Sequence, residues 1–273
     1  MKSFVVLDQN FLRKEELARL IEDDPLVNFV LADATLLEMC KSADWEKTIR
    51  GSLALLAKCP TRVHAAIAIG EAFRLELATL RSAEGRMLSR THRDVVRDIL
   101  AAISSGAQSN AFESIARNYP RISAELYAKE LDHVVNKANL AELIETLRIS
   151  LGAETFKGLR NGNVTRTKRL QIMADAAPHL MGNFFSGIGV PSSTLQEFMR
   201  RKPLILRQLY AKLWLCLNWL ARSGFESVLP NKITNDVVDL EYAVVATFFN
   251  GIKSNDHRVN QAYDDLLEIL RIT

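Results

Sequence analysis

The sequence predicts an α/β protein with a buried parallel sheet and a large helical insertion. Three observations predict it. Short runs at 3–7 (Ser-Phe-Val-Val-Leu) and 28–32 (Asn-Phe-Val-Leu-Ala) are rich in apolar, β-branched and aromatic residues. Runs of that length and composition suit strands buried on both faces. Amphipathic helical patterns follow each run. From about Gly70 to Phe225, apolar residues recur at three and four with few breaks, which is a helical period.

Taken in order, the first strand stops at Asp8-Gln-Asn10. Open α/β sheets place ligands beyond the C-terminal ends of their strands, so Asp8 is a candidate site residue. The same carboxylate suits an N-cap for the helix expected over 12–22. Asp23-Asp24-Pro25 ends that helix, because proline moves the preceding residue out of the α region. After the second strand, Asp33 or Thr35 caps another helix. Glu38 then lies about one turn inside, on the side of Thr35. A glutamate in that place is commonly solvated surface, and its interest comes from the company of Asp8. Residues 44–58 read as an amphipathic helix closed by Cys59-Pro60, and 62–69 fits either a third strand or a helix start.

The helical middle divides into segments at 71–83, 90–104, 110–117, 121–150, 165–182, 192–201 and 203–222. Gly85, Gly106, Pro120, Gly152, Asn161-Gly162 and Pro191 separate them. Trp214 and Trp219, with Leu213, Leu215, Cys216, Leu217 and Leu220, make 203–222 apolar on nearly all sides, the pattern of a core helix. The expected organisation is a discontinuous domain of residues 1–70 and 226–273, interrupted by a helical insertion at 71–225.

The stretch from Lys232 to Asp256 carries the chemistry. Asp236 and Asp239 stand at i and i+3 at the head of a helix-length apolar run, on one face and in the turn where the macrodipole favours negative charge. Asn250-Gly251 then marks a turn, followed by a short strand and Ser254-Asn-Asp256 at its end. Carboxylates gathered at strand ends and helix starts repel one another, and a divalent cation is the commonest means of holding them.

These residues resemble the PIN-domain nucleases and their PIN-like relatives. The resemblance rests on Val5-Val-Leu-Asp8-Gln-Asn10, Thr35-Leu-Leu-Glu38, Asn235-Asp236-Val-Val-Asp239 and Ser254-Asn-Asp256. It covers about 45 residues at the N-terminus and about 40 at the C-terminus, and leaves the helical middle unmatched. It implies a three-layer α/β/α PIN-like domain with a central parallel sheet, and a metal-dependent endoribonuclease. Asp8, Glu38, Asp239 and Asp256 take the catalytic and metal-binding places, with Asp236 as an additional ligand and Asn10 and Ser254 as supporting polar residues. The implied cofactor is Mg²⁺ or Mn²⁺, which held by carboxylates can activate water and neutralise the charge of phosphodiester hydrolysis.

Composition sets the remaining bounds. With 273 residues, 48% hydrophobic and 25% charged, the chain is ordinary for a globular protein. No apolar run approaches a membrane span, so no membrane partner is expected. Cys40, Cys59 and Cys216 form no zinc pattern and fit a reducing cytoplasm. No P-loop, GxGxxG or GxSxG occurs, which removes the usual support for NTPase, dinucleotide and serine-hydrolase chemistry.

A net charge of +3 is mild, but it is unevenly spread. Lys157, Arg160, Arg166, Lys168 and Arg169 fall in a Gly/Asn/Thr-rich stretch suited to a phosphate track, although a solvated face would look the same. RNA is the expected substrate. A toxin or defence effector restrained by an inhibitor or regulatory protein is compatible with this, as is a homo-oligomer built on the helical middle. Two other readings stay open: a non-catalytic PIN-like module for RNA binding or protein assembly, and a structural α/β protein whose acids are caps and surface charges.

Overall fold

A computed structural model of the chain describes residues 2–106, 110, 112–113, 115, 118–122, 130–222 and 228–273. Two compact units divide these residues. The first comprises Met1–Ala72, Gly85–Lys129 and Glu241–Tyr263, and the second Phe73–Glu84, Glu130–Leu240 and Asp264–Thr273.

The first unit is built on a five-stranded mixed sheet, mostly parallel. Its strands are β1 (Ser3–Leu7), β2 (Val27–Leu31), β3 (Val63–Ala66), β4 (Leu88–Ser89) and β5 (Gly251–Lys253), in the order β4-β3-β2-β1-β5. β1 is central. It pairs in parallel with β2 (Val5 opposite Phe29, Leu7 opposite Leu31) and with β5 (Val5 opposite Gly251, Leu7 opposite Lys253). The first and last strands of the chain thus share one sheet. The ambiguous stretch at 62–69 is β3, parallel to β2. The two-residue β4 is antiparallel to β3 and too short to leave a sequence signal.

Alternation explains the packing. Val5, Leu7, Phe29, Leu31, Val63 and Ala65 form one buried core with Leu17 of α1 (Glu15–Asp23), Ile49 and Leu53 of α3 (Trp45–Leu53) and Val96, Ile99 and Leu100 of α5 (Arg90–Ser105). Burying a side chain of that size stabilises by about 2 kcal/mol. The helix α2 (Asp33–Met39) also belongs to this unit, whereas α4 (Ile69–Thr79) belongs to it only as far as Ala72 and from Phe73 on is part of the second. Ser89 caps α5 by accepting from the His92 N–H, and Gly106 ends it in the left-handed region at φ 70°.

Because Val96, Ile99 and Leu100 are fully buried in this core, α5 belongs with the sheet. That differs from the expected boundaries, which placed everything from 71 to 225 in the insertion. The expected helices at 110–117 and 121–150 lie partly outside the described residues.

The second unit is helical: α6 (Glu130–Arg160), α7 (Arg166–Gly187), α8 (Ser192–Arg200), α9 (Leu204–Arg222), the first part of α10 (Pro230–Ala246) and the last part of α11 (His257–Ile272). As its composition predicts, α9 is core: Leu213, Leu215, Cys216 and Leu217 are almost fully buried. The buried Glu76 carboxylate holds its start, accepting from the Leu204 N–H at 2.8 Å, the Ile205 N–H at 3.0 Å and the Ala83 N–H at 2.6 Å. A helix N-terminus leaves such donors unpaired, and a carboxylate there also meets the favourable end of the dipole. Trp214 donates to Asp265 at 2.7 Å. Phe185 and Phe198 meet edge to face with centroids 5.7 Å apart. Among the described residues no helix is long and apolar enough to cross a membrane.

Candidate active site

The candidate site of the first unit lies where β1 and β5 end side by side. The chain leaves β1 at Asp8, whose N–H still donates to the Lys253 carbonyl of β5 at 3.0 Å. The Asp8 carboxylate caps a single 3-10 turn over Gln9–Phe11, accepting from the Asn10 N–H at 3.3 Å. It therefore caps this turn and not the longer helix downstream. Its second oxygen accepts from the Ser254 hydroxyl. The Ser254 oxygen in turn accepts from the Asp256 N–H at 2.9 Å, and Asp256 caps α11 by accepting from the Arg258 N–H at 2.6 Å. Asn10 closes the ring, its side-chain oxygen accepting from the Asn255 N–H at 3.0 Å. Asp8, Asn10, Ser254 and Asp256 are thus joined in one network, across some 245 positions of sequence.

Glu38 approaches from α2. Its Oε2 accepts from the Tyr242 hydroxyl at 2.6 Å, and its Oε1 lies 3.2 Å from the Lys41 amine. Thr35, one turn earlier and fully buried, has its hydroxyl near that of Tyr242 but outside hydrogen-bonding geometry.

Electrostatics couple these groups. Burial raises the proton affinity of Asp8 above the ordinary carboxylate range, against the lowering effect of Ser254 and Asn10, and the charges of Glu38 and Asp256 raise it further. Burial likewise lifts the Tyr242 phenol well above its usual value, with Glu38 adding to the effect. Tyr242 therefore stays a hydrogen-bond donor at all ordinary pH.

A second acidic pair adjoins Glu38. Burial, then the charges of Asp33 and Glu38, push Glu241 up to about 7. Asp33 is itself raised by burial, against a 3.2 Å hydrogen bond from the Tyr119 hydroxyl. Sequence reasoning missed Tyr242, Glu241 and Tyr119. A tyrosine inside an apolar helical run is the one usable signal, since a buried phenol needs a polar partner.

The other expected residues have different surroundings. α10 begins at Pro230, nearly two turns ahead of Asp236, so neither Asp236 nor Asp239 stands at a helix head and the dipole argument for them does not hold. Both belong to the second unit. Asp236 is 3% exposed, accepting from the Trp219 indole at 3.1 Å and lying 3.4 Å from the Lys232 amine. Those partners hold the Asp236 carboxylate within the second unit. Asp239 is partly buried.

In the basic stretch, only 161–165 is loop: Lys157 and Arg160 close α6 while Arg166, Lys168 and Arg169 open α7. Arg166 is 45% exposed and makes ion pairs with Asp265 at 2.5 Å and Glu268 at 2.6 Å, which offset its charge. Among the described residues, Lys157, Arg160, Lys168 and Arg169 have no carboxylate at ion-pair distance.

The donor set of Asp8, Glu38 and Asp256 consists of hard carboxylate oxygens, the chemistry that suits Mg²⁺ or Mn²⁺. Among the described residues, however, no three Asp, Glu, His or Cys side chains stand in an arrangement that would hold a metal. Comparison with protein-family models, with curated proteins and with solved structures finds no match to this chain.

Proposed function

We propose that the chain is a PIN-like, Mg²⁺- or Mn²⁺-dependent endoribonuclease whose acidic centre is formed by Asp8, Glu38 and Asp256. The observation that carries this reading is the hydrogen bond from Ser254 to Asp8 at the adjoining C-terminal ends of β1 and β5, with Glu38 and Asp256 near enough to raise the proton affinity of Asp8. The like charges of Asp8 and Asp256 beyond the strand ends and of Glu38 on α2 are costly unless a cation or a proton offsets them.

A divalent ion bound there would lower the pKa of a water and neutralise developing phosphate charge. The chain's own residues orient the acids. Ser254 and the Asn10 N–H fix both oxygens of Asp8, Tyr242 fixes Glu38, and the Arg258 N–H fixes Asp256. Asn10 and Asn255 pin the two loops that carry them. Lys157, Arg160, Lys168 and Arg169 remain the candidate RNA contacts. In this reading an RNA-cleaving toxin or defence effector, with a protein that restrains it, is the matching biological setting.

The test is cleavage of labelled RNA and DNA by the purified chain with and without Mn²⁺, beside Asp8→Asn and Asp256→Asn. The reading expects Mn²⁺-dependent cleavage of RNA that both variants lose. Cleavage that is metal-independent and unchanged in both variants overturns it. A second reading, a non-catalytic module that binds RNA or assembles with protein, is favoured by the lack of a three-residue metal group among the described residues. RNA binding that persists in EDTA, with no cleavage under Mn²⁺, would select it.

A further inference from the structure

We infer that the corner formed by the kink of α6 at Gly152 is a binding site for single-stranded RNA, in which Phe156 stacks a base while Lys157 and Arg160 hold the flanking phosphates. The inference deepens the proposed function by locating where substrate is gripped, and it rests on that reading only for the choice of RNA as ligand.

The geometry begins with one backbone angle. Gly152 has φ 71° and ψ 163° inside an otherwise helical run. A side chain there would be strained by that φ, although a Cβ would meet nothing within 4 Å. The kink turns the segment after Gly152 away from the axis of the segment before it. Arg148, from before the kink, then lines a concavity of about 570 Å³ with Ala153, Phe156, Lys157, Arg160 and Asn161. That volume falls in the range of small-ligand sites and accommodates a nucleotide.

The lining has the two parts that sequence-tolerant binding of single strands requires: an aromatic surface and cations along a backbone track. Phe156 is partly exposed. Lys157 and Arg160, at i and i+3, share a face and are exposed, with no carboxylate at ion-pair distance among the described residues. Arg148 is held by Glu145 at 2.7 Å from its Nε, so it shapes the wall while its charge is offset.

A helix C-terminus ordinarily repels anions through its open carbonyls. Here three of the last four carbonyls, those of Lys157, Gly158 and Leu159, are closed. The Asn161 N–H donates to Lys157 O, the Gly162 N–H to Leu159 O and the Asn163 N–H to Gly158 O, at 2.9–3.1 Å, with Gly162 at φ 70° making the turn. An acidic peptide would satisfy the cations but leave the ring without a stacking partner, which favours a nucleic acid.

The experiment measures fluorescence anisotropy of a labelled ten-nucleotide oligouridylate and of an abasic ribose-phosphate strand of equal length. The full chain carrying Asp8→Asn is used so that RNA stays intact. Phe156→Ala should weaken oligouridylate binding about tenfold and abasic-strand binding less than twofold. The double variant Lys157→Gln/Arg160→Gln should weaken both at least tenfold and flatten the salt dependence. Arg166→Gln should change neither.

Equal loss for both strands in Phe156→Ala, unchanged binding in the lysine/arginine variant, or competition by polyglutamate as strong as by unlabelled oligouridylate would each overturn the site. Gly152→Ala, checked for folding by circular dichroism, should also weaken binding; full retention would overturn the role of the kink. If the chain with Asp8 intact binds RNA through these residues but never cleaves it under Mn²⁺, the nuclease proposal fails and the site stands. Cleavage without any dependence on these residues has the opposite consequence.

Discussion

The hydroxyl of Tyr242 donates a 2.6 Å hydrogen bond to Glu38 Oε2 across 204 positions of sequence. It ties the C-terminal part of α10 to α2, and so sets where Glu38 stands relative to Asp8. Tyr242→Phe removes the donor without changing the packed ring. Because the glutamate side chain keeps 16% exposure and its contact with Lys41, the expected loss is modest, about 1 kcal/mol, read by urea denaturation. Under the nuclease proposal, Mn²⁺-dependent cleavage should fall far more than stability does. An equal fall in both would make Tyr242 structural only.

Asp8→Asn separates chemistry from folding. The buried carboxyl already holds its proton more tightly than usual, chiefly through burial, so a neutral isostere should leave stability within about 1 kcal/mol of the parent chain. Cleavage should drop at least 100-fold, as expected for a residue that holds a catalytic centre. A large loss of stability together with retained activity would reverse both assignments.

Glu76 is the test of the second unit. Its carboxylate accepts from three backbone N–H groups, two of them at the start of α9. Glu76→Ala strands those donors in a buried place and should cost about 3 kcal/mol, with Glu76→Gln costing roughly half as much. Chemical denaturation followed by tryptophan fluorescence reports on this unit through Trp214 and Trp219.

Stability should also carry a histidine signature. Burial, then the charges of Arg93, Arg97 and Lys2, lower the proton affinity of His64 below its ordinary value. The unfolded chain takes up that proton first as pH falls, so the contribution is complete above about pH 6.5 and is lost on the acid side as pH drops toward the lowered folded value. His64→Gln, which keeps a donor for the Asn28 oxygen 3.2 Å away, should lose less stability than the parent between pH 7.5 and 5. Parallel losses in the two chains would refute this origin.

Arg166 should behave as a structural cation. Its side chain is 45% exposed and paired with the buried Asp265 and with Glu268. Arg166→Ala is expected to cost about 1 kcal/mol, near the upper end for exposed pairs, because Asp265 would keep only Trp214. RNA affinity should stay unchanged, as an anisotropy titration would show.

The sequence by itself determined the first two strands, the last strand and the acids that follow them, because those features are local. Ser3–Leu7 and Val27–Leu31 are strands since side-chain period and branching suffice to define them. Asp8 follows β1 directly and Asp256 lies just beyond β5 at the head of α11, because a turn and a helix start at once after them. The burial of Trp214 and Trp219 in α9 was equally legible from an all-round apolar pattern.

What the tertiary structure alone decided is partnership. Periodicity names the face a residue lies on, not the residue it will meet. That β5 lies beside β1 and delivers Ser254 to Asp8, that Glu38 meets Tyr242, that Glu76 caps a helix 128 residues away and that Asp265 and Glu268 neutralise Arg166 are long-range pairings. Each depends on which elements become neighbours when the cores close. The same limit hid the true start of α10, where the helix runs on through Pro230, a residue tolerated in a first turn.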